Sequence, residues 1–68
     1  MTRSQAKEAL AQGRRVLHRR FADGEWIEQV EGKPDKLRDE AGNELFAGLF
    51  WSGRSGEAWD KHWKEVEK

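Results

Sequence analysis

The stretch Arg14-Arg15-Val16-Leu17-His18-Arg19-Arg20-Phe21 has the most evident chemistry in this 68-residue chain. A guanidinium presents a planar fork that bonds two oxygens of a phosphate or carboxylate at once. An aromatic beside such a fork can stack a nucleobase. In an extended strand these side chains project to both faces, so they do not make a single basic stripe. A competing assignment pairs the same arginines with Glu25, Glu28 and Glu31 across a hairpin, at about tenths of a kcal/mol each. A second candidate is Ser52-Gly53-Arg54-Ser55-Gly56, a loop of small residues around one arginine, flanked by Trp51 and Trp59. Together these stretches nominate Arg15, Arg19, Arg20, Trp51, Arg54 and Trp59 for ligand or partner binding. Arg19, Arg20 and Arg54 would clamp phosphates while Trp51 or Trp59 stacks a base.

Catalytic constellations are thin. His18 and His62 are the only histidines, Asp60 lies two residues before His62, and cysteine is absent. No two-histidine spacing suggests zinc, and no glycine-rich loop followed by lysine suggests a phosphate cradle. Asp23, Glu25 and His18 could converge at a hairpin turn, although charged residues at turns ordinarily face water. The expectation is a protein without enzymatic activity, metal or cofactor.

The elements that must position these residues are short. Residues 2–12 read as a helix with Thr2 and Gln5 at capping-box spacing (Ser4 is the rival cap), a small face of Ala6, Ala9 and Leu10, and Gly13 as terminator. Arg15–Phe21 and Glu25–Glu31 alternate as two strands of a hairpin around Ala22-Asp23-Gly24. Gly32-Lys33-Pro34-Asp35 reads as a second turn, Lys36–Asp39 as a short strand and Glu40–Asn43 as a third turn. Leu45–Trp51, apolar but for Gly48, is either a strand or an irregular segment across the sheet edge. Trp59, Trp63 and Val66 recur at helical spacing and argue for a helix over Gly56–Glu67; a closing strand at His62–Glu67 is the alternative. The expected fold is α+β in one domain: the N-terminal helix packed on a small, curved antiparallel sheet of four or five strands, open or barrel-like.

Thirteen basic and 13 acidic side chains cancel, but residues 1–20 hold six bases against Glu8 alone. The rest of the chain is correspondingly acidic. Zero net charge opposes counterion-driven binding of double-stranded DNA. No apolar run approaches a membrane span, and the lack of cysteine favours a cytoplasmic setting. Four Trp and three Phe supply a core of which four or five are expected to be buried. In so short a chain, stability must come from that core, from self-association, or from both.

The order E-A-L-x-x-G-R-R-V, HRRFADGEWI, DEAGN, FW, RSGEAWDKHW resembles small phage and prophage proteins, among them anti-Thoeris sponge proteins and some anti-CRISPR proteins. Glu8, Ala9, Leu10, Gly13, Arg15, Val16, Phe21, Glu25, Trp26, Ile27, Gly42 and Trp63 carry the likeness, mostly as structural positions. The chain lacks the sponge branch's C-terminal aspartate–tryptophan pair, and its central segment is shorter. The resemblance implies a non-enzymatic counter-defence protein that binds and blocks a host or rival-phage protein. The sponge branch would instead sequester a phosphate-bearing cyclic nucleotide or ADP-ribose-type signal between subunits. A single-stranded nucleic-acid binder is the third reading, from the strand cations and aromatics alone.

Overall fold

The computed structural model describes residues 1–67. Helix α1 (Arg3–Ala11) is opened by a reciprocal cap: Gln5 N–H donates to Thr2 Oγ1 at 3.2 Å, and Thr2 N–H donates to Gln5 Oε1 at 2.8 Å. Two donors that the helix itself cannot satisfy are thereby paired. The helix stops where Gly13 takes a left-handed φ of 80°, a conformation that costs a residue without Cβ little. Ala6, Ala9 and Leu10 are buried. Their small volume lets α1 lie close on the sheet.

That sheet has five antiparallel strands: β1 (Arg15–His18), β2 (Ile27–Val30), β3 (Lys33–Asp39), β4 (Glu44–Phe46) and β5 (Trp63–Val66). Their order is β4-β3-β2-β1-β5, an α+β architecture with the sheet open at β4 and β5. A short helix α2 (Ala47–Ser52) follows β4, and one 3₁₀ turn (Glu57–Trp59) precedes β5.

Residues opposite one another share a face, and the register sorts the sheet cleanly. Val16 opposite Ile27, Leu37 opposite Leu45, and His18 opposite Trp63 lie on the side that joins α1 and Phe50 in the core. The other face carries Glu44, Arg38, Glu28 and Arg15, a row of alternating sign across four strands. Glu28 is its hub, 3.0 Å from Arg38 Nη2 and 3.2 Å from Arg15 Nε. Burial raises the Glu28 pKa, but the hydrogen bonds from Arg38 and Arg15 outweigh it and leave the carboxyl below its ordinary value.

Several expectations need correction. The sheet does not close into a barrel. The strand expected over Arg15–Phe21 ends at His18, and Arg19-Arg20 turns the chain. Pro34 lies inside β3, because the reversal is made by Glu31-Gly32 with Gly32 at φ 76°. The register shifts at Gln29/Val30 near it, which is where a sheet tolerates a residue with no N–H. Leu45–Trp51 is divided between β4 and α2. Of the two readings of the C-terminal segment, the strand is the one formed and the helix over Gly56–Glu67 is not: Trp63–Val66 pairs with β1 from Arg15↔Val66 to His18↔Trp63. Helical spacing misled there because a turn brings the same rings together. Trp59 ends the 3₁₀ turn, Trp63 enters β5, their centroids are 6.0 Å apart, and Trp63 Nε1–H donates to the Trp59 carbonyl at 2.8 Å. Only Phe50 and Trp63 of the seven aromatics are buried; Phe21, Trp26, Trp51 and Trp59 are half-buried, and Phe46 is exposed. Asp23, Glu25 and His18 do not converge as a site: His18 is buried, while Glu25 accepts the Ala22 N–H at 2.9 Å within its own turn.

Candidate functional site

The six nominated residues fall into three places. Arg15 belongs to the outer charged row, where Glu28 holds its Nε and its guanidinium carbon sits 4.0 Å over the Trp26 ring. Arg54 is tucked into the chain's own aromatics. Its guanidinium carbon is 3.9 Å from the Phe50 centroid, 5.0 Å from Trp59 and 6.0 Å from Phe21, and Nη1 donates to the Phe50 carbonyl at 3.1 Å. Its buried Nε has no acceptor among the described residues, so cation–π attraction compensates part of the desolvation. Arg3 fastens this loop by donating to the Arg54 carbonyl at 2.8 Å and pairing with Asp60 at 2.8 Å.

Trp51 and Trp59 turn inward rather than walling a cleft. Trp51 packs at 4.8 Å on Phe50 and 5.2 Å on Trp63, and Lys7 lies 4.9 Å over its ring. Trp59 lies 4.4 Å from the His18 ring. Neither stands beside a free guanidinium.

Arg19 and Arg20 are different. Both are exposed, and neither side chain meets a carboxylate among the described residues. They border an open hollow of about 490 Å³ with Lys61, His62, Glu57, Ala58 and Asp60. Lys61, likewise exposed, has no side-chain partner among the described residues, and Asp60 is engaged by Arg3. The result is a cationic corner made from the end of β1 and the residues leading into β5.

The backbone holds this corner tightly. Arg19 N–H donates to the His62 carbonyl at 3.2 Å, and Arg20 N–H donates to His18 Nδ1 at 3.0 Å. His18 Nε2 meets the Lys61 carbonyl at 2.8 Å. His62 has φ 74°, a left-handed conformation that costs a non-glycine residue roughly 1–2 kcal/mol and persists only where surroundings impose it. Burial, with smaller contributions from the nearby positive charges of His62, Arg19 and Arg20, holds the His18 pKa below 6.5 against the opposing pull of the Lys61 carbonyl.

Sequence reasoning missed Lys61 and His62. Their nearness to Arg19 and Arg20 comes from β1–β5 pairing, to which the alternative of a closing strand at His62–Glu67 was the one pointer in the sequence. No protein-family model matches the chain, and neither a curated protein nor a solved structure matches it. Among the described residues no group of His, Asp and Glu is placed to hold a metal ion, and no helix is long and apolar enough to cross a membrane.

Proposed function

We propose that the chain is a non-enzymatic binding protein that engages an acidic protein surface through Arg19, Arg20 and Lys61. One observation carries this reading: Arg19, Arg20 and Lys61 line an open hollow and none of the three is paired with a carboxylate among the described residues, although Glu57 and the Arg3-bound Asp60 share its rim. Two guanidiniums and an ammonium on an open shelf suit a broad acidic partner, where charge complementarity sets encounter rate and specificity. They suit a small nucleotide less well, since Arg54, Trp51 and Trp59, the groups expected to clamp and stack it, are engaged inside the fold. Together with the sequence resemblance, this favours a phage or prophage inhibitor acting in the cytoplasm on a host defence component or a rival-phage protein. The sponge reading is the alternative.

Affinity capture from bacterial lysate tests the proposal, comparing the native chain with R19E/R20E and with K64E, which reverses an exposed cation on β5. The native chain and K64E should recover the same dominant protein, and R19E/R20E should lose it. Equal recovery by all three, or no specific protein with the native chain, overturns the proposal. Tryptophan quenching by cyclic nucleotides or ADP-ribose derivatives would instead favour the sponge.

A further inference from the structure

We infer that His18 is the positioning residue of the cationic corner: its neutral ring ties the Arg19-Arg20 turn to the Lys61-His62 loop, so the corner is assembled near neutral pH and loosens in acid. This regulation rests on the reading of the corner as the contact surface.

The two partners of the imidazole fix its protonation state. Arg20 N–H is only a donor, so Nδ1 facing it at 3.0 Å must carry the lone pair. The Lys61 carbonyl is only an acceptor, so Nε2 facing it at 2.8 Å must carry the proton. One neutral tautomer satisfies both, and it joins segments 43 residues apart. A proton added at Nδ1 would confront the Arg20 N–H with another N–H and abolish that bond.

The surroundings offer the imidazolium little. His18 is 1% exposed and is boxed by Trp59 at 4.4 Å, Trp63 at 4.8 Å and Phe21 at 6.3 Å. The charged groups facing it are Arg19 and Arg20 from its own strand end and His62, 6.4 Å away between ring centres, from the loop. Arg54 lies behind Trp59 and Phe21. Of the two carboxylates lining the hollow, Asp60 is engaged by Arg3 and Glu57 is exposed on the rim. From α1 and β2 the core receives Ala6, Ala9, Leu10 and Ile27, none of which is charged. The left-handed His62 adjoining Lys61 is a strained link, which the His18 clamp helps to keep in place.

Nuclear magnetic resonance of the whole chain, without any partner, tests this. At neutral pH the His18 nitrogens should report the Nε2-protonated neutral ring, with the Arg20 amide protected from exchange. On acidification Arg20 protection should fall roughly tenfold, the scale of one lost hydrogen bond, while amides of α1 and the β2–β3 pair stay protected. H18F keeps a ring but no hydrogen bonds, and should expose the Arg20 amide at every pH. H18Q, whose amide can accept from Arg20 and donate to Lys61, should restore protection without the pH dependence. An Nδ1-protonated ring, Arg20 protection insensitive to acid, or pH dependence that survives in H18Q would overturn the inference. The native titration decides the matter alone if H18F does not fold. Failure of the R19E/R20E capture experiment would strike the contact reading and leave this result standing.

Discussion

Replacing Trp63 by alanine tests the core and the C-terminal strand together. Trp63 is 3% exposed. Its ring lies within 4.8–6.5 Å, centre to centre, of His18, Trp51, Phe21, Trp59 and Phe50. Its Nε1–H is satisfied by the Trp59 carbonyl at 2.8 Å. Truncating a buried aromatic to alanine costs about 3–5 kcal/mol, and the orphaned carbonyl adds to that. A domain of this length has a total stability of about 3–10 kcal/mol. W63A should therefore lose its cooperative urea transition, or show a midpoint at least ~1–2 M lower at ordinary urea sensitivity, read by far-ultraviolet circular dichroism. W63F keeps a ring in the cluster and should lose less than half as much. A W63A loss below about 1 kcal/mol would be too small for a buried aromatic. It would place Trp63 outside the core and refute the strand assignment.

Stability should rise with pH in two separate windows. His18 binds its proton less readily folded than unfolded, so its contribution is complete above 6.5 and is lost as pH falls from there through its lowered folded pKa. Glu28, also lowered on folding, contributes fully above 4.5 and loses that contribution at more acid pH. Urea midpoints from pH 8 to 3 should show both declines, and H18F should remove the upper one. E28Q should destabilise by about 1–2 kcal/mol, because a buried acceptor between two guanidiniums loses its charge, and should flatten the lower decline. H62G should stabilise by about 0.5–1 kcal/mol, as a glycine takes the left-handed φ without the Cβ clash; a loss of stability would show that the His62 side chain holds the loop.

What could be read from the residues was whatever local chemistry decides. The Thr2–Gln5 cap, the Gly13 stop and the alanine face of α1 depend on neighbours within a turn, and so does the alternation that marks β1 and β2. The C-terminal segment resisted because Trp59 and Trp63 meet across a turn-to-strand corner that imitates helical spacing. Leu45–Trp51 hid its break because the same apolar run serves β4 and α2. Of the candidate site, the free cations Arg19 and Arg20 were visible as a basic run, but nothing in the sequence separates them from Arg15. Only register sets Arg15 opposite Glu28, and only the Phe50–Trp59 packing captures Arg54. The corner itself joins residues distant in the chain, so its composition follows from β1–β5 pairing rather than from any motif.

The most direct check of the central claim is the affinity of a captured partner for the native chain and for R19E/R20E, measured side by side over a series of salt concentrations. The corner as contact surface requires native binding that weakens with salt, at least about a tenfold loss on charge reversal, and an unchanged affinity for K64E. Equal affinities for the native chain and R19E/R20E, at low and high salt alike, would contradict it.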